Sequence, residues 1–127
     1  MAPYRNLKAW EHAQKLAVEC AKLARTFPQY EQSGLADQLR RAGYSVPINI
    51  AEGSASKGSR EYRKFLNTAK SSLAEAETIL SLAKDIGYIH RDDYARVEAL
   101  AIETGKTLYG LLRKISDGAH SHGRKAS

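Results

Sequence analysis

The sequence predicts an all-α chain folded as an up-down-up-down four-helix bundle. Three observations predict it. Apolar and small residues recur at alternating steps of three and four over four separate stretches, the spacing that lines one face of an α-helix. Short links carrying proline, glycine and serine join these stretches, so successive helices turn back on one another. The period-two alternation of a half-buried strand is absent from the sequence. The bundle is expected over residues 1–116 and a disordered basic tail over 117–127, which has no apolar periodicity.

The first helix is expected over 7–27, with Asn6 as N-cap and Pro28 as its stop. Its seam is Trp10, Ala13, Ala17, Cys20, Ala24 and Phe27, widened by Leu16 and Leu23, and Trp10 is read as a core anchor. The second helix, over 33–52, continues the spacing with Leu35, Leu39, Ala42 and Val46, and its next seam place falls on Asn49. Ile48 and Ile50 point elsewhere, so the end of this helix is apolar on several sides and asks to be covered on several sides. Val46, Ile48 and Ile50 are therefore the candidate interface of a homo-oligomer. Pro47 has no N–H to give the carbonyl of Gly43, which predicts a kink here rather than a break, and Gly53 suits the left-handed position after the helix ends near Glu52.

Residues 53–59, GSASKGS, read as a loop, with Ser59 or Ser56 as the cap of a third helix over 59–86 that stops at Gly87. Leu66, Ala69, Leu73, Ala76, Leu80 and Ala83 form its seam, flanked by Phe65, Ile79 and Ile86. The fourth helix, over 92–116, starts at Asp92 as N-cap and buries Tyr94, Val97, Ala101, Thr104, Leu108, Leu111 and Ile115.

With 127 residues, 43% hydrophobic and 27% charged, the chain is one domain able to bury a core without staples. The single Cys20 excludes an internal disulfide framework and fits a reducing compartment. No apolar segment marks the start MAPYRNLKAW as a secretory signal, and no apolar run is long enough to cross a membrane. A cytoplasmic protein with no membrane partner is expected.

Signatures of catalysis are thin. Ser54-x-x-Lys57 and Ser81-x-x-Lys84 match a nucleophile spacing but have no companion motifs, and chance explains them. Gly105-Lys106-Thr107 resembles the end of a phosphate-binding loop, yet Leu100 stands where the earlier glycine is required. None of His12, His90, His120 and His122 follows a glutamate at the spacing of a di-iron bundle, so neither a metal nor a cofactor is expected. Glu75 and Glu77 lie on different helix faces, and the chain is read as a non-enzyme. Asn49 is either a buried amide that bonds helix backbone or a ligand group, and Glu52 is expected to pair with Arg40 or Arg41.

The formal charge is +6, which permits an anionic partner. From Lys57 to Lys70 stand five bases (Lys57, Arg60, Arg63, Lys64, Lys70) and one acid, Glu61; from Ser71 to Ile86 stand three acids and one base. Helix N-termini favour negative charge, so the third helix opposes its own dipole. Arg60, Lys64 and Asn67 share one face beside the glycine/serine loop. Lys57, Arg60, Arg63 and Lys64 are thus the candidate contacts to RNA or DNA, with Arg40, Arg41 and the tail's Arg124 and Lys125 as lesser ones. The alternative is a solvated basic face that meets an acidic patch on another subunit or protein, which would make the chain an interaction scaffold with no nucleic-acid role.

RRAGYSVPINIAEG followed by SREYRKFL and SLAEAE resembles the four-helix-bundle proteins encoded in intervening sequences of large-subunit (23S) ribosomal RNA genes. YRNLKAWEHAQKLA, IGYI and LYGLLRKI fit the same family, so the resemblance runs from Tyr4 to Ser116. It implies a left-handed antiparallel bundle and a cyclic homopentamer. It also implies distant kinship with the accessory variability proteins of diversity-generating retroelements, pentamers that bind nucleic acid and a reverse transcriptase. No catalytic activity comes with the family. The loop Ser54, Ala55, Ser56, Lys57 departs from the aromatic or glycine-arginine pair common in relatives, whereas Arg60, Arg63 and Lys64 match the basic helix start.

Overall fold

The computed structural model describes the backbone of residues 3–126, with side chains over 4–5 and 7–115. Four α-helices make up a four-helix bundle, and there is no strand among the described residues. They are α1 (Lys8–Arg25), α2 (Leu35–Ser54), α3 (Ser59–Ile86) and α4 (Arg91–Ala126). Single 3₁₀ turns, Pro3–Asn6 and Gln29–Glu31, lead into α1 and α2. Helix α1 packs against α2 and α4, and α3 packs against the same two.

The seams predicted by spacing form most of the core. At the end of α2 Ile50, expected to point elsewhere, takes the buried place that spacing gave to Asn49, which is half-buried. Leu16, Leu39, Val46, Ile50, Leu66, Leu80, Val97 and Leu108 are fully buried, with Ala13, Cys20, Ala69, Ala76 and Ala101 between them. The alanines let helix axes approach closely while the leucines fill the space between. Trp10 and Leu111 are only half-buried, and Leu112 takes the enclosed place instead. A straight helix has 3.6 residues per turn, so a seam counted strictly in threes and fours drifts off the buried line over several turns. Along α4 the buried residues are Val97, Ala101, Thr104, Leu108 and Leu112. Thr104 is buried without penalty because its Oγ1 donates to the Leu100 carbonyl at 2.7 Å.

Several helix ends differ from expectation. The N-cap of α1 is Leu7, not Asn6, and no side chain caps it. Apolar contact anchors this entrance: Leu7 packs on the core and the Tyr4 ring lies 5.1 Å from Trp10. Helix α2 runs unbroken through Pro47 and ends at Ser54, so Gly53 is not a left-handed cap but a buried helical residue. A Cβ there would stand 2.9 Å from Tyr62 Cδ1 and 3.0 Å from Phe65 Cβ, so glycine serves the close approach of α3. Neither Ser59 nor Ser56 caps α3, whose N-cap is Gly58 at φ +100°. Ser56 Oγ instead donates to the Gly53 carbonyl at 2.6 Å, closing the end of α2. Gly87 does end α3 in the left-handed region, at φ +97°. The N–H of Tyr94 bonds the His90 carbonyl at 3.0 Å, which makes His90 the residue before α4 and places Asp92 within its first turn. The backbone of α4 continues past the expected end at Ser116 to Ala126. The side chains over 116–127 lie outside the described residues, as do the readings placed on His120, His122, Arg124 and Lys125.

Candidate nucleic-acid interface

The last turn of α2 and the first turns of α3 are locked together by Gly53 against Tyr62 and Phe65. The positive φ of Gly58 then lets the chain reverse within four residues, Ala55 to Gly58. This geometry brings Lys57 to the same end of the bundle as Arg60, Arg63 and Lys64. Lys57, Arg60 and Lys64 are exposed and Arg63 is half-buried. Arg60, Lys64 and the exposed Asn67 follow one another at steps of four and three, so they line one face of α3.

No ion pair within 4.0 Å among the described residues engages any of these four bases or Lys70. Several bases elsewhere are matched: Lys8 with Glu11, Lys22 with Glu19, Lys106 with Glu103, and Arg96 with both Glu19 and Asp93. The start of α3 therefore holds a positive charge that opposes its helix dipole and that nearby acids leave uncompensated.

Arg40 and Arg41 do not join this cluster. Both reach Asp37, at 3.7 and 3.8 Å, and Arg40 Nη2 also donates to the Gln32 carbonyl at 2.7 Å. Arg41 shares a groove with Ser72 and Glu75, whereas Gly53 faces Tyr62, so Arg41 lies about 18 Å along the bundle from the α3 start at 1.5 Å per residue. The pairing of Glu52 with Arg40 or Arg41 is absent for the same reason: they are three turns apart on one helix, and Glu52 is exposed.

Of the candidate interface residues, Ile48 alone reaches the surface; Val46 and Ile50 are fully buried in the chain's own core. Val46 and Ile50 are four apart and share a face, whereas Ile48, two residues from each, points away from it. Asn49 acts as a backbone-bonding amide: its Nδ2 donates to the Ser45 carbonyl at 2.8 Å and to Ser45 Oγ at 2.9 Å. Ser45 Oγ in turn bonds Ser72 Oγ at 2.7 Å, which ties α2 to α3.

Sequence spacing missed one relationship. Glu77 on α3 and Glu98 on α4 approach each other, and Tyr94 OH donates to Glu98 Oε2 at 2.7 Å. Burial, and then the charge of Glu98, pushes the Glu77 carboxyl above its ordinary range. The residues belong to different helices, so no local periodicity could pair them. Among the described residues, no three His, Cys, Asp or Glu side chains are grouped to hold a metal ion, and every buried side-chain N or O has a partner. No helix among them is long and apolar enough to cross a membrane.

Fold and surface together define a small four-helix-bundle protein with a cluster of bases at the α2–α3 end. The chain belongs to the 23S rRNA-intervening sequence protein family, whose model matches residues 5–110. Its fold is similar to that of a crystallised protein of unknown function from the S23 ribosomal protein family of Bacteroides thetaiotaomicron, with a TM-score of 0.75. The two are 24% identical, over 82% of this chain and 97% of the other, a likeness that speaks for the fold alone. No curated protein matches the chain.

Proposed function

We propose that this protein is a non-enzymatic cytoplasmic assembly of helical bundles that binds RNA or DNA through the basic start of α3, with little sequence preference. The observation that carries this reading is the set of Lys57, Arg60, Arg63 and Lys64, gathered at one end of the bundle and engaged by no acid among the described residues. Phosphate oxygens are the natural complement of such a surface, since contacts to them need charge and reach rather than a shaped pocket. The family's name associates it with 23S rRNA intervening sequences, which agrees with a nucleic-acid partner.

Antiparallel neighbours fit two contacts: Phe27 after α1 lies 5.5 Å from Tyr88 after α3, while His12 early in α1 bonds Thr107 midway along α4. A cyclic oligomer, read as a pentamer, fits the exposed Ile48 and multiplies a modest patch, because several weak phosphate contacts on one ring act at high effective concentration.

Fluorescence anisotropy with labelled RNA and DNA over a range of salt concentrations tests the reading. Log affinity is expected to fall linearly with log salt, by roughly 0.9 per neutralised phosphate on duplex DNA and 0.7 on a single strand. Arg60→Glu with Lys64→Glu should abolish binding at salt concentrations where the unaltered protein binds. Binding that survives both salt and this double reversal places the site elsewhere, and no binding at low salt leaves a protein-interaction scaffold.

A further inference from the structure

Three of the exposed large apolar side chains meet in a single groove. Val18 (44% exposed), Tyr44 (44%) and Ile48 (52%) line a cavity of about 570 Å³ between α1 and α2, floored by Ala17 and Pro47. Its charged rim is Lys22, Arg25 and Arg40, and no carboxylate belongs to the lining. Arg25 has no ion pair among the described residues, Lys22 holds only a 3.8 Å contact to Glu19 within its own helix, and Arg40 contacts Asp37 at 3.7 Å and donates to the Gln32 carbonyl at 2.7 Å.

The outer side of α3 carries the opposite character. Leu82 (47% exposed) and Ile86 (55%) stand there with the exposed Glu75 and Asp85, on a half-helix where three acids face one base. The rival apolar stripe, Ile102 and Tyr109 on α4, lies among Lys106, Arg113 and Glu103, and Glu103 is already paired with Lys106, so it offers a basic rim no free acid. We infer that the acidic, apolar end of α3 from one copy of this chain seats in the α1–α2 groove of the next. Leu82 and Ile86 meet Val18, Tyr44 and Ile48, while Asp85 and Glu75 meet the basic rim. The contact joins two different faces, so each copy keeps one of each free and the contact repeats from copy to copy, closing into a ring when the rotation allows.

Charge sets the register. The exposed side of α3 changes sign along its length, basic at Arg60 and Lys64 and acidic at Glu75 and Asp85. A groove rimmed by arginine and lysine rejects the first end and accepts the second. The assembly then leaves the basic end uncovered for nucleic acid. This inference rests on the oligomer proposed above and specifies the surfaces that build it.

Two one-faced variants test it by light scattering after size exclusion, with circular dichroism as a check of folding. Ile48→Asp spoils only the groove and Leu82→Asp with Ile86→Asp only the stripe, and each variant alone should be monomeric. Mixed, they keep one intact groove and one intact stripe, and should form a 1:1 heterodimer that grows no further. Should a variant unfold, Arg25→Glu and Asp85→Arg replace the pair: each alone should dissociate the assembly, and the two changes in one chain should restore it. An unaltered protein that is monomeric at micromolar concentration overturns the oligomer itself. An unaltered oligomer that survives loss of the α3 stripe overturns only this choice of surfaces.

Discussion

Gly43 of α2 lies directly against Cys20 of α1: a Cβ on the glycine would stand 3.0 Å from the Cys20 Cβ and 3.5 Å from its sulfur. The same glycine offers the carbonyl that Pro47, one turn on, cannot bond. Gly43→Ala gains about 1 kcal/mol of helix propensity, yet it adds a methyl group where two backbones already touch. Overpacking of that kind costs about 1–3 kcal/mol, so a net loss of about 0–2 kcal/mol in urea denaturation is expected. Cys20→Ala should not relieve it, because the clashing atom is the Cβ that alanine retains. A stabilised Gly43→Ala protein would show that α1 and α2 can part without loss.

The register of α4 can be tested with two neighbouring leucines. Leu112 is 9% exposed, whereas Leu111 is half-buried. Leu112→Ala should cost about 2–4 kcal/mol and Leu111→Ala no more than about half as much, as read from denaturation midpoints. Equal losses would place both side chains on the boundary of the core. Leu73 on α3, on the seam that spacing predicts, should lose about 2–5 kcal/mol as alanine.

What the sequence made legible follows from how locally it is encoded. The leucine–alanine seam of α3 and the stop at Gly87 depend on residues within a turn or two of each other, and both were predictable. Helix ends set by a tertiary contact were not. The GSASKGS stretch has loop composition, yet α2 runs on through Ser54 because Gly53 lets α3 close in at Tyr62 and Phe65. The basic start of α3 was legible as a run of charge, but that none of its bases is held in an ion pair among the described residues is a fact of three dimensions. So is the separation of Arg40 and Arg41, which face Asp37 instead. Val46 and Ile50 were separable from Ile48 by helical phase, and their burial follows that phase.

Cys20 should be chemically silent in the folded protein. It is fully buried, and burial, followed by the charge of Glu19, pushes its thiol pKa up to about 12. A thiol-specific chromogenic disulfide at pH 8 should label it only as fast as the bundle opens, and completely in denaturant. The sign of the pH effect follows: the unfolded chain loses this proton near pH 9 and the folded chain only near 12. Between those values the folded state binds more protons, so stability is full below about pH 9 and falls by up to roughly 1.4 kcal/mol per pH unit above it. Cys20→Ala should remove that part of the alkaline loss, and an unchanged slope would assign it to tyrosines instead.

Glu31 joins two helix ends through one carboxylate. Its Oε1 accepts the N–H of Leu35, the first residue of α2, at 3.1 Å, and its Oε2 accepts the Tyr88 hydroxyl, just past α3, at 2.8 Å. The Tyr88 and Tyr30 hydroxyls lie 3.3 Å apart and the Tyr88 ring lies 5.5 Å from that of Phe27, so this corner closes one end of the bundle. Its hydrogen bonds to Tyr30 and then Glu31 raise the Tyr88 phenol above its ordinary range. Glu31→Ala leaves the first N–H of α2 uncapped and Tyr88 without its carboxylate, an expected loss of about 1–2 kcal/mol. Tyr88→Phe spares the α2 cap and removes the hydroxyl's contacts to Glu31 and Tyr30, and should cost about 0.5–1.5 kcal/mol. Because both changes break the same bond, the double variant should lose less than the two single losses added together. Strict additivity in that cycle would mean that Glu31 acts through the α2 cap alone and that the Tyr88 hydrogen bond adds nothing to stability.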